Sequence, residues 1–257
     1  MNRNRYAHIA QAVFGEPWAI QESKLAAIAD VVRLRLAGGH LTDDEIRERI
    51  GPPHAPASMV YAYEGDKARG QAAGRAVAVL PLYGVLAQRA NMMTESSGGT
   101  STEKFGAAFR QAMADPSVGS IVIDVDSPGG SVYGMSELSD LIASARGVKP
   151  VVAVANSMAA SAAYWVAASA SEIIVSPSGE VGSIGVFVVH QDESARSEAE
   201  GVRTTLISAG RYKTEGNPFE PLSDEARAAL QGRVDDYYGA VVKAVAKGRG
   251  VSVADVR

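Results

Sequence analysis

Three runs of mostly apolar and β-branched residues, Val77 to Val85, Ser120 to Asp124 and Val151 to Val154, are separated by segments with helical spacing, and this alternation constrains the fold more than any other feature. The intervening segments, Thr102 to Asp115 and Val132 to Arg146, read as helices. Strands alternating with helices argue for an α/β domain in which helices cover a sheet. After the third run, Met158 to Ala170 reads as an Ala/Ser-rich helix, and Ile173 to Val175 and Ile184 to Val189 as short strands. A further helix–strand pair is predicted from about Asp192 to Ile207. A long helix starts near Ser223, an N-cap residue followed by Asp224 and Glu225, whose charges suit a helix N-terminus. No internal repeat is found.

Upstream, residues 1 to about 50 carry apolar positions at helical spacing, among them Leu25, Ile28, Val31, Val32 and Leu36, with Gly38-Gly39 as a stop. This predicts an N-terminal helical extension. Gly51-Pro-Pro-His-Ala-Pro56 marks a linker that the Gly/Ala/charged stretch from Gly65 continues, so residues 51–75 are assigned to it and the main domain to 76–257. Between Arg89 and Ser101 a polar stretch containing Met92 and Met93 predicts a loop that is disordered or closes over substrate.

Composition excludes several function classes. Net charge is −4, from 25 basic and 29 acidic residues, and no basic stripe suits a nucleic-acid backbone. With no cysteine, a disulfide framework, a thiolate metal site and a cysteine nucleophile are all excluded. The basic N-terminus lacks the apolar run of a signal peptide. Pro150 to Ser171 is uncharged and long enough to span a bilayer, but Asn156-Ser157 breaks it into a buried strand and a packed helix, and no transmembrane segment is predicted.

Residues that carry chemistry cluster after residue 120. Asp126-Ser-Pro-Gly-Gly130 follows an apolar strand, a place where bare backbone approaches a ligand closely; taken alone it also fits a tight turn or a phosphate cradle. Ser161 follows the Val151 strand in the first or second turn of the predicted helix, and alone it reads as a small packing residue like Ser157 or Ser169. Lys213, in Gly210-Arg-Tyr-Lys213-Thr-Glu-Gly-Asn-Pro218, reads alone as a solvated charge. A serine needs a base and preorganised donors for the oxyanion. A lysine base must lose its proton, and an ordinary one, with a pKa of about 10.4, is neutral in about one molecule in 2,500 at pH 7. Burial corrects this by penalising the charged form. Ser183, in Val181-Gly-Ser-Ile-Gly185, is the candidate to orient such a lysine. Asp124 and Asp126 fall on one strand face and could suggest paired carboxylates, but they are read as solvated groups at a strand end. His190 is the sole triad candidate in the main domain near the site; without a second histidine nearby it is read as structural, and no metal site is expected.

From about Ala76 to Arg249 the chain resembles the signal peptide peptidase A family of serine peptidases, in particular the head-maturation proteases of lambda-type tailed phages. The resemblance rests on Asp-Ser-Pro-Gly-Gly130, Ala-Ala-Ser161, Gly-Ser183-Ile-Gly-Val and Tyr-Lys213-Thr-Glu-Gly-Asn-Pro-Phe in family order, with Tyr-Ala-His-Ile and Glu-Pro-Trp-Ala near the N-terminus. It implies a Clp/crotonase-like α/β fold of repeated ββα units, with Ser161 as nucleophile, Lys213 as general base and Ser183 orienting the lysine. It further implies an oxyanion hole from the N–H groups of Gly129, Gly130 and Ala162, no cofactor, and homo-oligomers whose protomers complete one another's sites.

The implied activity is a Ser-Lys serine endopeptidase cleaving scaffold and capsid-associated polypeptides during phage head maturation, in the host cytoplasm and procapsid. The chain departs from the family in Ser161-Ala-Ala163, where many relatives have Ser-Gly-Gly, and in ending at Arg257, which implies truncation at the C-terminal side. Two other readings are a catalytically inactive scaffold or assembly protein on the same fold and a crotonase-like acyl-CoA enzyme. The last is disfavoured because such enzymes place carboxylates around the oxyanion hole. A fluorophosphonate probe on Ser161 separates the first reading from both.

Overall fold

The computed structural model describes residues 4–50, 59–61, 76–89, 99–210 and 212–257. Its centre is a sheet built on three parallel strands, β3 (Ala76–Tyr83), β6 (Val118–Ser127) and β8 (Val151–Ala160), paired in the order β8-β6-β3. The short β2 (Met59–Tyr61) adds antiparallel to β3, while β9 (Glu172–Val175) and β10 (Glu180–Gly182) pair in parallel with successive stretches of β8. Burial alternates strictly along β3, as a period of two requires when one face meets the core. That core holds Leu80, Leu82, Ile121, Ile123, Val125 and Val151 against Phe105 and Phe109 of α4 (Thr102–Ala114) and Leu138 and Ile142 of α5 (Met135–Ser144).

A second sheet runs β11-β1-β7-β4-β5, from β11 (Phe187–Val188), β1 (Pro17–Ile20), β7 (Gly129–Ser131), β4 (Leu86–Ala87) and β5 (Thr100–Ser101). β3 is followed by β4 and β5 of this second sheet and then α4, and β6 by β7 and then α5, which is the strand, short-strand, helix repeat expected of the α/β domain. Two glycines allow the layers to meet. A Cβ on Gly130 would lie 2.0 Å from the Leu86 carbonyl oxygen, and one on Gly129, whose φ is +102°, would lie 2.3 Å from that of Ala19.

The N-terminal segment is not wholly helical. Besides α1 (Asn4–Gly15), α2 (Glu22–Leu36) and α3 (Asp43–Ile50), it contributes β1, whose four residues are all buried between β7 and β11. Trp18 anchors it, with Val13, Leu25, Ile28, Val32 and Val85 forming a second apolar cluster. The predicted linker 51–75 lies outside the described residues except for β2, as do residues 90–98 of the predicted loop.

Three further differences from expectation concern the region of the site. Met158 to Ala160 continue β8, because Ala159 pairs with both Val181 and Ser127; the helix that follows, α6 (Ala162–Ala167), is only six residues long. Ser161 therefore lies at a strand–helix junction and not within a helix. After α7 (Ser194–Ala199), the predicted strand ending at Ile207 is not formed: the segment joins no ladder among the described residues. The long α8 (Asp224–Arg249) begins where expected, with the Ser223 hydroxyl accepting from Ala226 N–H at 3.0 Å, and is followed by α9 (Val253–Val256).

Candidate active site

Three of the four predicted segments meet at the C-terminal end of β8. Ser161 is 2% exposed and holds φ 55°, ψ −114°. Its N–H donates to the Gly182 carbonyl at 2.7 Å, and its hydroxyl reaches the Gly185 carbonyl over a long 3.4 Å. The Val181-to-Gly185 segment is thereby fixed beside the serine. On the other side, the Ala160 carbonyl lies 3.1 Å from where a Gly129 Cβ would stand, which brings the Asp-Ser-Pro-Gly-Gly turn against the residue preceding Ser161.

Backbone strain is concentrated at this junction. Among the described residues, Ser161 and Ser183 (φ 53°) are the non-glycine positions with positive φ. Such conformations cost about 1–3 kcal/mol each and persist where surrounding structure imposes them. Here the imposing elements are β10, seated on β8, and the Ser161 N–H bond to Gly182.

The amide groups around Ser161 differ in availability. Ala162 is the first residue of α6 and fully buried, and a helix has no internal acceptor for that N–H. Gly129 N–H is directed at Ser127 Oγ (3.2 Å), whose own hydroxyl donates to the Gly84 carbonyl at 2.6 Å. The Ser127 hydroxyl escaped sequence reasoning, although its place in the Ser-Pro-Gly-Gly turn was the available signal. Asp124 accepts from the Tyr83 hydroxyl, so its carboxylate has a partner on the sheet face.

Lys213 stands apart from this group. Its side chain is exposed, and among the described residues no hydrogen bond joins it to Ser161 or Ser183. Ser183 is itself exposed. Neighbouring Tyr212 is 55% exposed, and its phenol pKa is raised by partial desolvation first and then by its hydrogen bond to the Glu225 carboxylate. The lysine loop is ordered by its own contacts: Asn217 Nδ2 donates to the Thr214 carbonyl (2.8 Å) and to Glu220 Oε1 (2.6 Å), and Asn217 Oδ1 accepts from Phe219 N–H (2.9 Å). His190, expected to be structural, holds the Asn217 carbonyl at 3.0 Å through Nε2. Among the described residues, no group of three or more His, Asp or Glu side chains could hold a metal, and no helix is long and apolar enough to cross a membrane.

Over 96% of its length the chain is 34% identical to capsid assembly protease C of Escherichia phage lambda, and over 98% it is 32% identical to head-tail preconnector protein GP5 of Enterobacteria phage P21. It spans 57% of the first of these relatives and 50% of the second. Protease 4 of Salmonella typhi is 33% identical over 60% of this chain and 25% of its own length. A solved structure described as an enoyl-CoA hydratase/isomerase, from Mycobacterium abscessus, covers 79% of this chain and 86% of its own at 18% identity, with a TM-score of 0.33. Residues 143–257, which carry Ser161, Ser183 and Lys213, match the model of peptidase family S49.

Proposed function

We propose that the chain is a serine endopeptidase that acts through an acyl-enzyme on Ser161, with Lys213 as general base. The observation that carries the reading is the buried Ser161 held at positive φ between β8 and α6, as strained nucleophiles at strand–helix turns are. In the reaction, Ser161 Oγ attacks the scissile carbonyl carbon as its proton passes to the lysine amine. The oxyanion is held by the N–H groups of Ala162 and Gly130. Gly129 joins them if its N–H turns away from Ser127 Oγ. The ammonium then protonates the departing amine as the C–N bond breaks, and water, activated by the same amine, hydrolyses the ester. Ser183 orients the lysine.

The exposure of Lys213 within its own chain leads to a second element of the proposal: the site is completed in a homo-oligomer. Supporting it are apolar side chains left in solvent around the lysine segment, namely Val202, Leu206 and the 96% exposed Ile207, together with Ile174, Val175 and Val181 on the β9/β10 edge. A surface of this kind suits a second copy of the chain. The substrates of this proposal are capsid and scaffold polypeptides of a maturing head, a choice supported by the likeness to a phage protein named a capsid assembly protease. The same lysine exposure also favours one competing reading, an inactive assembly protein on this fold.

A fluorophosphonate probe distinguishes the two. Labelling of wild type at Ser161 and none in Lys213→Ala supports the peptidase; absence of labelling in a verified oligomer refutes it. Mixing Ser161→Ala with Lys213→Ala should restore peptide cleavage if the dyad spans protomers. Zero recovery with mixed oligomers confirmed by native mass spectrometry assigns the dyad to one chain.

A further inference from the structure

We infer that His190 is a positioning residue for Lys213, an inference that rests on the Ser-Lys reading above. The argument starts from the hydrogen bond between His190 Nε2 and the Asn217 carbonyl at 3.0 Å. A carbonyl oxygen only accepts, so Nε2 carries the hydrogen. Beside this bond Glu193 N–H donates to the Pro218 carbonyl at 2.7 Å, so residues 190–193 and 217–218 are joined at two points.

The bond joins the segment that lies beside Ser161 to the lysine loop of the same chain. On one side, residues 185–190 lead directly from the Gly185 carbonyl that accepts from Ser161 Oγ, through β11, to His190. On the other, Asn217 returns to the lysine segment through two bonds to the Thr214 carbonyl, from its backbone N–H (3.3 Å) and its side chain (2.8 Å). Gly216 at φ +72° permits the tight return, and Ser223 Oγ donates to Glu215 Oε2 at 2.8 Å to hold the far side. A path of backbone and side-chain bonds thus runs from the serine to the residue after the lysine, and His190 is the side chain that closes it. Whether Lys213 serves the serine of its own chain or of a neighbour, the loop has to be presented at a fixed height above the segment that His190 anchors. His190 transfers no proton in this role; it supplies one donor at one place.

The test compares His190→Ala, which removes the donor, with His190→Gln, whose amide nitrogen reaches a similar position without an ionising ring. In folded, oligomeric protein, His190→Ala should lower kcat by about tenfold to a hundredfold, the scale of a displacement of about 1 Å at a reacting group, with KM changed by less than about threefold. His190→Gln should recover most of kcat and leave the pH profile unchanged in shape. Wild-type kcat in His190→Ala overturns the inference, and so does a Gln variant as slow as Ala, which would mean that the ring ionises during turnover. A second readout does not depend on catalysis: amide hydrogen exchange at residues 212–219 should quicken in His190→Ala and return in His190→Gln. Unchanged exchange overturns the clamp. An active Ser161→Ala enzyme would end the Ser-Lys reading, whereas the exchange experiment would still decide whether His190 holds the loop.

Discussion

Three glycines around the strand–helix junction separate backbone strain from steric overlap, and together they test how the site is held. Gly182 has φ +113° and open space where a Cβ would go, so Gly182→Ala reports strain alone. Gly130 has no positive φ but would place its Cβ 2.0 Å from the Leu86 carbonyl oxygen and 2.6 Å from Leu86 C and N, so Gly130→Ala reports overlap alone. Gly129 combines φ +102° with contacts of 2.3 Å to the Ala19 carbonyl and 3.1 Å to that of Ala160. Strain costs about 1–3 kcal/mol, offset by about 0.4–1 kcal/mol because alanine restricts the unfolded chain, which leaves roughly 1–2 kcal/mol for Gly182→Ala. Overpacking costs about 1–3 kcal/mol where side chains can move aside. At Gly130 the obstruction is the main chain of β4, paired in register with it, so the cost should reach or pass about 3 kcal/mol. Gly129→Ala should be the most severe, at roughly 4–5 kcal/mol, a large fraction of the roughly 5–15 kcal/mol that stabilises a domain. For a chain of this size each kcal/mol lowers Tm by about 2–4 °C. Urea midpoints and calorimetric Tm values for the three variants provide the assay. If Gly129→Ala is no more costly than Gly182→Ala, the turn yields where β1 and the end of β8 are argued to be rigid, and the packing account of the Asp-Ser-Pro-Gly-Gly segment fails.

Other expectations concern catalysis and stability. Lys213→Arg should abolish peptide cleavage with Tm preserved, because guanidinium is not deprotonated in proteins; turnover by this variant would remove Lys213 from its role. Chelators should leave cleavage unchanged, and loss of activity on metal removal would count against a Ser-Lys mechanism. Arg146→Lys should cost about 2–4 kcal/mol in urea denaturation, since one guanidinium donates to the carbonyls of Ala168 (3.1 Å), Ser169 (3.0 Å), Ala170 (2.7 Å) and Gly248 (2.9 Å), a set an ammonium cannot span. Burial raises the Glu16 carboxyl above its ordinary pKa of 4.5, with Arg233 opposing. The folded chain thus holds a proton that the unfolded chain releases, a contribution present below pH 4.5 and lost as pH rises through the raised value. Glu16→Gln should therefore raise Tm at neutral pH and lose that advantage in acid; an equal gain at both would contradict the assignment.

The parallel strands were legible because their β-branched runs are buried in a register that the runs themselves encode. Two elements were not. Pro17–Ile20 has four residues, all buried because β7 and β11 flank it, so it lacks the alternation that marks a half-exposed strand. Met158 to Ala160 carry helix-favouring residues, yet they stay in the ladder because β6 and β10 both pair with Ala159 there. The same pairing explains why the left-handed turn escaped notice. A glycine at position 161 would have announced positive φ, whereas a serine held there by tertiary contacts carries no local signal.

The two halves of the proposed dyad differ in how much a single chain determines. Ser161 is specified by its own fold: its N–H, its hydroxyl and the residue before it are each fixed by segments that the sequence places close by. Lys213 is specified only as far as its loop. Asn217, His190 and Glu193 fix the backbone around it, while the side chain remains in solvent. A lysine that acts as a base has to leave water, because desolvation is what disfavours its charged form. The apolar side chains at Val202, Leu206 and Ile207 have the opposite deficiency, since they lie in water without a covering layer. One event, the docking of a second copy over the 202–213 stretch, would meet both needs. Under the proposal, the 202–207 stretch, which joins no ladder among the described residues, would be covered by that second copy, and catalytic competence would be tied to assembly.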